Sequence, residues 1–374
     1  MKELLNEEVQ NLPSEPVPVN AVIRDGRRRL WRYRAVGGTA AFAALAAVAV
    51  VAPLVGGPGN GDDAGPAITH VDRTVATYSR GSTIHYGDRE IDVSPHQVLS
   101  FVRTDDGFVF VNQDSEVYFA DGATVEKVGD GNGWWKLAAD DTGSYVGWVE
   151  DDGGERSEFV VYDTSTRTDV LRTSEGTVSG IPGYDGPKAA RLWDIDGDIA
   201  YVHDAEGATA WNLTDGTSER IASGVGTGWL FGVADGQIAH LQGDGSHRYV
   251  VVSDDPAADQ SRVRLGWDPL GAELSPTGKH VVTIAWGTAQ IAVTEMPSQR
   301  DVTPDDSGYA DAGGLAPLQW VGDDVFYAVG TPRGGESADV VRCTISTSEC
   351  RVVVESVGPS HAIQGPSGEN SPIE

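Results

Sequence analysis

Residues 99–111 read LSFVRTDDGFVFV, in which an apolar strand, a tight Asp/Gly turn and a second apolar strand follow one another directly. The same unit returns at residues 134–149 (WWKLAADDTGSYVGWV), 190–202 (ARLWDIDGDIAYV), 228–241 (GWLFGVADGQIAHL), 272–286 (AELSPTGKHVVTIAW) and 318–329 (LQWVGDDVFYAV). The turns lie near Gly107, Gly143, Gly197, Gly236, Gly278 and Asp323, a mean spacing of about 43 residues. Four-stranded propeller blades repeat every 40–45 residues or so, and a sandwich does not repeat on that period. The pattern therefore predicts an all-β chain folded as a β-propeller.

The number of blades follows from the stretch before the first unit. It contains three strand-like runs, at 74–78, 83–86 and 90–93. These runs can build one more blade that closes the ring against the C-terminal end, and closure removes exposed sheet edges. We predict seven blades over residues 70–358, with six as the alternative, followed by a disordered tail at 359–374.

The two cysteines, Cys343 and Cys350, fall in the last unit. Its third and fourth strands are predicted at 340–345 and 350–354, which places the cysteines on facing strands beside a tight turn. A metal site would need further ligands, so a local disulfide in an exported domain is the better interpretation.

The charge of the chain is strongly acidic and unevenly distributed. The chain has 27 basic and 56 acidic residues, a net charge of −29. A chain of this charge repels phosphate backbones, which argues against a nucleic-acid partner. Residues 1–34 are instead slightly basic, because an arginine cluster lies between Arg24 and Arg34.

An uncharged segment at residues 35–55, AVGGTAAFAALAAVAVVAPLV, follows that cluster. About 20 apolar residues suffice for a helix to cross a bilayer, and basic flanks stay on the cytoplasmic side. We predict a single transmembrane helix with a cytoplasmic N-terminus, a linker at 56–69 and an extracytoplasmic propeller. A cleaved signal peptide and a buried core helix are the alternatives.

The cytoplasmic tail, residues 1–34, begins with MKELLNEEVQNL and is then interrupted by Pro13, Pro16 and Pro18. The opening residues can form one short amphipathic helix, which is marginal alone. The tail is either disordered or a docking peptide for a cytoplasmic regulator.

Sequence motifs of catalysis are missing. The chain has no GxSxG, HExxH or P-loop pattern and no GxGxxG between a strand and a helix. We therefore predict no catalytic residues, no enzyme activity, no cofactor and no metal. Residues 194–198 (DIDGD) resemble the opening of a calcium loop, but Ala205 stands where the loop needs a bidentate glutamate, so a hairpin turn is favoured.

Aromatic residues recur at matched positions of the units, for example Trp193 and Trp320 on first strands. Such residues are expected to fill the space between blades. Trp134, Trp267 and Tyr184 are less regular, and we predict them as candidate ligand-binding residues.

Residues 274–282, LSPTGKHVV, resemble the SPDGK strand–turn–strand signature of TolB-like propellers, with Thr277 in place of the usual aspartate. The overall layout is similar to bacterial membrane-anchored WD40/TolB-like propeller proteins, whose genes often lie beside those of extracytoplasmic-function sigma factors. The resemblance implies a fold, a topology and an association with signalling.

The expected function is a non-enzymatic, membrane-anchored propeller that binds or senses a protein, peptide or envelope ligand and signals to a cytoplasmic regulator. Two alternatives remain open. One is an envelope assembly factor of TolB-like type, and the other is a carbohydrate-active propeller hydrolase.

Overall fold

The computed structural model describes residues 66–131, 136–140, 143–151, 157–173, 191–204, 207–223, 230–242, 249–253, 262–263, 269–285, 291–309 and 314–368. Within them the chain forms seven four-stranded sheets, arranged as a seven-blade β-propeller. In each blade the strands succeed one another from the propeller axis outward, and we call the first the inner strand and the last the outer strand. The predicted fold class and the predicted number of blades are confirmed.

Each blade has four strands, in order from inner to outer. They are, for blade 1, Ile363–Gln364, Thr77–Arg80, Thr83–Tyr86 and Arg89–Asp92; for blade 2, Val98–Arg103, Phe108–Asn112, Glu116–Ala120 and Val125–Asp130; for blade 3, Ala138–Ala139, Tyr145–Asp151, Ser157–Asp163 and Thr168–Thr173; for blade 4, Arg191–Asp196, Ile199–Asp204, Gly207–Asn212 and Ser218–Ser223; for blade 5, Leu230–Ala234, Gln237–Gln242, Tyr249–Ser253 and Arg262–Val263; for blade 6, Pro269–Leu274, His280–Ala285, Ile291–Glu295 and Arg300–Asp301; and for blade 7, Leu315–Gly322, Val325–Gly330, Ala338–Thr344 and Glu349–Gly358.

Blade 1 closes the ring, because it combines strands from both ends of the propeller. Its three outer positions are filled by the N-terminal strands, while its inner strand comes from Ile363–Gln364. The inner strand pairs antiparallel with the second strand, with Ser79 opposite Gln364 and Arg80 opposite Ile363. The prediction that the leading runs close the ring against the C-terminal end is confirmed.

At two predicted boundaries the propeller extends further along the chain than expected. A disordered tail was expected from residue 359, but residues 360–362 form a 3-10 turn and Ile363–Gln364 form a strand, while 369–374 lie outside the described residues. The linker was expected to extend to residue 69, yet Ile68 is buried and its N–H donates to the carbonyl of Asp121 at 2.6 Å. Both segments lack the alternating apolar pattern on which the boundaries were based.

The hydrophobic core is divided into layers between neighbouring blades. Among the described residues there are seven buried clusters, and each contains residues of two adjacent blades. Middle strands are therefore covered on both faces: all five residues of Phe108–Asn112 are buried, whereas the outer strand Val125–Asp130 is largely exposed. This sandwiching explains why the middle strands are continuous apolar runs.

The position-matched tryptophans among the described residues, Trp148, Trp193 and Trp320, lie in these layers, as expected. Trp193 packs with Val233 of the next blade, and Trp320 packs with Val282 of the preceding one. Trp148, from the second strand of blade 3, packs against Val117 of blade 2.

The predicted disulfide is present. Cys343 and Cys350 are bonded, and they face one another on the third and outer strands of blade 7. Cys343 is fully buried within the layer between blades 6 and 7. The bond therefore ties the outer strand of the last blade to the core.

Among the residues with described structure, no helix has the length and apolar character that crossing a membrane requires. The predicted span at 35–55 and the basic tail lie outside the described residues.

The closing strand can be tested by removing its main apolar contact. Ile363 is 1% exposed and lies in the layer between blades 7 and 1. We expect Ile363→Ala to lower the free energy of unfolding by about 2–5 kcal/mol, since the substitution leaves a cavity. The measurement is equilibrium denaturation. Val353→Ala, at a side chain that is 44% exposed, is the control and should change stability by less than about 0.5 kcal/mol. Equal effects of the two changes would contradict the assigned closure.

The disulfide should stabilise the propeller modestly, because it closes a short loop with a sequence separation of 7. We expect Cys343→Ala/Cys350→Ala to lower the free energy of unfolding by about 2 kcal/mol. Adding a reductant should bring the wild-type denaturation midpoint close to that of the variant and leave the variant unchanged. If the wild-type denaturation midpoint does not change when the reductant is added, the disulfide does not contribute to stability.

Candidate functional site

One end of the propeller carries all the turns that join an inner strand to a second strand. Inner strands run in the same direction around the axis, as the parallel bridge between Asp140 and Ile195 shows for blades 3 and 4. The turn residues predicted near Gly107, Gly143, Gly197, Gly236, Gly278 and Asp323 all fall in these connections. We call this end the inner-turn face.

Carboxylates dominate the inner-turn face. In the described turns and the strand ends beside them they are Asp105, Asp106, Asp140, Asp196, Asp198, Asp235, Asp323 and Asp324, against the basic residues Arg103 and Lys279 and Arg73 from the incoming segment. A ring of this composition produces a negative potential around the axis, which attracts basic groups and repels acidic ones.

Several of these carboxylates join one blade to the next. Asp196 Oδ2 accepts a hydrogen bond of 2.8 Å from the N–H of Gly236, which lies in the following turn. Asp140 Oδ1 accepts one of 3.4 Å from the N–H of Gly197 in the same way. Because charge-assisted bonds to backbone N–H groups are stronger than neutral ones, these bonds stabilise the contacts between neighbouring turns.

The DIDGD sequence at 194–198 belongs to this system. Its residues form the hairpin turn that was favoured over a calcium loop, between strands Arg191–Asp196 and Ile199–Asp204. Asp194 Oδ2 accepts a hydrogen bond of 2.6 Å from the N–H of Val233 in blade 5. Two of the three aspartates thus bind backbone amides of the neighbouring blade.

Asp323 makes the corresponding link between blades 7 and 6. Its Oδ1 accepts from the N–H of Thr277 at 3.1 Å, and its Oδ2 accepts from the Thr277 hydroxyl at 2.5 Å. Burial acts to raise the pKa of Asp323, but hydrogen bonds from Thr277 and Ser275 outweigh it and lower the pKa below its ordinary value. The threonine that departs from the SPDGK signature is therefore the donor in an inter-blade contact.

Blade 1 has no inner turn, because its inner strand comes from the other end of the chain. The incoming residues take that place, with Arg73 at their centre. Arg73 Nη2 contacts Asp105 Oδ1 at 3.2 Å and donates to the carbonyl of Gly143 at 3.1 Å, while Nη1 donates to the carbonyl of Asp140 at 3.3 Å. Arg73 therefore bridges the inner turns of blades 2 and 3.

A buried polar group lies below these contacts, between blades 2 and 3. Asp106 Oδ2 accepts hydrogen bonds of 3.2 Å from the hydroxyls of Ser144 and Thr164. The Thr164 hydroxyl also lies 3.1 Å from that of Thr104, and both threonines are buried. Each member of the group has a partner, so it stabilises the contact between the blades.

A second polar cluster lies at the opposite end of blade 2, around Glu116. Its carboxylate accepts hydrogen bonds from Tyr118 at 2.7 Å, from Lys127 at 2.9 Å and from Asn112 at 3.0 Å. These donors lower the pKa of Glu116 to about 2. Burial and the hydrogen bond to Glu116 raise the pKa of Tyr118 to about 12. The His96 ring lies over Tyr118, with centroids 4.1 Å apart.

The predicted ligand-binding residues, Trp134, Trp267 and Tyr184, lie outside the described residues, so their role stays a prediction. In the part of the chain with described placement, no group of three or more His, Cys, Asp or Glu side chains could hold a metal ion.

Sequence inspection missed three features of this end of the propeller. Asp196 and Asp198 look alike in the sequence, yet it is Asp196 that accepts the amide of the next blade. Arg73 lies outside any repeat unit. The pairing of Thr277 with Asp323 could have been suspected only from the replaced aspartate in the signature.

Comparison with known proteins gives similarity of fold only. No protein-family model matches the chain, and no curated protein is similar to it in sequence. Among solved structures, TolB from Acinetobacter baumannii is 16% identical, with 68% of this chain and 67% of that chain covered and a TM-score of 0.37. A chain of the mitotic checkpoint complex is 11% identical, with coverage of 83% and 88% and a TM-score of 0.42. PorZ of Porphyromonas gingivalis, a surface component of the type-IX secretion system, is 14% identical, with coverage of 79% and 39% and a TM-score of 0.46.

The link between Thr277 and Asp323 predicts a dependence of stability on pH. The pKa of Asp323 is lower in the folded chain than in the unfolded chain. Between the two pKa values the unfolded state binds more protons, so this stabilisation is present above about pH 4 and is lost as the pH falls through the folded pKa. We expect Asp323→Asn to lose less stability than the wild type between pH 5 and pH 2, measured by denaturation midpoints.

Thr277→Ala is the matched variant, because it removes the hydroxyl donor and keeps the carboxylate. It should also flatten the dependence on pH, and the double variant should add little to either change. A double variant whose effect is the sum of the two single effects would mean that the residues act separately.

Proposed function

We propose that this chain is a membrane-anchored, extracytoplasmic binding module. The propeller holds a protein or peptide ligand of the envelope, the segment at 35–55 anchors it, and residues 1–34 contact a cytoplasmic regulator. One observation carries the binding role: the six inner turns lie on one face, and several of their carboxylates, among them Asp140 and Asp196, accept hydrogen bonds from backbone amides of the next turn. Rigid scaffolds that present turns at one end are typical binding surfaces.

Two further features support the location and the kind of ligand. A disulfide persists in oxidising compartments, and Cys343 and Cys350 are bonded. The excess of aspartate on the inner-turn face favours a ligand that carries basic groups there.

Site-specific photo-crosslinking in intact cells tests the binding role. A photoreactive side chain at Asp198, which is exposed on the inner-turn face, should capture one defined protein or peptide. The same group at Glu219, which is exposed on the outer strand of blade 4, is the matched control and should not capture it. Equal capture at both positions, or none at either, would contradict a binding surface on the inner-turn face.

The signalling role is tested separately by deleting residues 1–20. We expect the shortened chain to remain in the membrane and to keep the crosslink at Asp198, while transcript levels of a defined set of genes change. The measurement is RNA sequencing beside membrane fractionation. Unchanged transcripts would remove the signalling role and leave a tethered binding module.

A further inference from the structure

The chain does not leave the propeller after the closing strand. Residues 365–368, with the sequence GPSG, run on along the inner strands of neighbouring blades, and we call them the C-terminal segment. Gly365 packs on the backbone of Leu318 in blade 7. Ser367 forms an antiparallel bridge with Val102 of blade 2. The segment therefore lies against the wall of the central channel.

Two backbone hydrogen bonds hold the C-terminal segment there. The N–H of Gly368 donates to the carbonyl of Phe101 at 3.0 Å, and the N–H of Leu137 donates to the carbonyl of Gly368 at 2.8 Å. Gly368 thus links the inner strand of blade 2 to the start of the inner strand of blade 3. The C-terminal segment is therefore held to both blades through its main chain, as peptides that pair with a sheet edge are.

Two backbone groups at the inner edges of blades 2 and 3 have their partner on the side that faces the axis. Just past the end of Val98–Arg103, Thr104 directs its N–H toward the second strand and donates to the carbonyl of Gly107 at 2.9 Å. Phe101 directs its carbonyl the other way, and Leu137 does the same with its N–H. Both residues are buried, and buried backbone groups are costly to leave without hydrogen bonds.

The fit around Gly368 is selective for glycine. A Cβ at this position would lie 2.0 Å from the carbonyl oxygen of Leu137, and the backbone has a φ of +71°. At Gly365 a Cβ would lie 2.8 Å from the carbonyl oxygen of Leu318. Since backbone atoms cannot move aside as a flexible side chain can, a larger residue at either position is excluded from this arrangement.

We propose that the inner edges of blades 2 and 3 form a pairing site for a peptide backbone that has a glycine in the left-handed conformation at the position of Gly368, and that the C-terminal segment occupies this site in cis. The inference rests on the proposed binding function and deepens it, because it names the class of ligand and the place where it pairs. Main-chain hydrogen bonds supply the affinity, and the close contact with Leu137 supplies the specificity.

Because the C-terminal segment occupies the site, a ligand must displace this segment before it can bind. A segment tethered by a few residues has an effective concentration in the millimolar range. A free peptide at micromolar concentration therefore competes poorly with the C-terminal segment and binds well only when that segment is displaced. The site is self-blocked in the resting chain.

The test uses the full chain in detergent micelles and a fluorescent peptide with the sequence of residues 365–374. Two variants release the site. One ends after Gln364 and keeps the closing strand, and the other carries Gly368→Leu in the full chain. We expect both variants to bind the peptide at least tenfold more tightly than the unmodified chain, measured by fluorescence anisotropy. A peptide carrying Gly368→Leu should bind at least tenfold more weakly than the original peptide.

Thermal unfolding of each variant verifies that the propeller is folded before binding is measured. If the shortened chain does not fold, the binding measurement uses the Gly368→Leu chain alone. Two outcomes overturn the proposal: no binding to a folded variant, or equal binding of the original and the Gly368→Leu peptides. If crosslinking from Asp198 still captures a partner in that case, the proposed binding function stands and only the pairing site is refuted.

Discussion

Closure of the ring by Ile363–Gln364 is the contact on which the rest of the molecule depends. The pairing is short, since only two residues of this strand face Thr77–Arg80. Its importance comes from position. Blade 1 supplies one wall of the layer shared with blade 7, which contains Ile363, and one wall of the layer shared with blade 2. A ring that is open at blade 1 exposes apolar surface on both sides as well as a free sheet edge.

The positions of the acidic residues explain how so acidic a chain folds. A net charge of −29 would favour expansion if the carboxylates only repelled one another. Many of them instead accept hydrogen bonds from the backbone two residues ahead, as Asp163 does from Ser165, Asp215 from Thr217 and Asp301 from Thr303. Others, such as Asp196, do the same across blades. Turns of this kind favour aspartate, so much of the acidity follows from the number of turns in a propeller.

The architecture was predictable from the sequence, because each blade repeats the same pattern of apolar strands and Asp/Gly turns. The six inner turns and the cysteine pair follow from periodicity and local turn chemistry. The C-terminal segment was not predictable in this way. Its sequence GPSG has no alternating apolar pattern, and its partners Phe101 and Leu137 lie far away in the chain. Likewise, Asp323 contacts Thr277 of a different blade, and the repeat period of the sequence does not indicate which residues of two blades meet.

The composition of blade 1 has a consequence for how the protein is made. During synthesis its three outer strands emerge first, and their inner partner emerges only after the other six blades. Until then the backbone of Thr77–Arg80 that later pairs with Gln364 has no strand beside it. Pairings between such distant residues form slowly, and unpaired edges promote aggregation while they last. The intermediate most prone to aggregation is thus a six-blade arc with one incomplete sheet. Chaperones would act on that arc rather than on a fully unfolded chain.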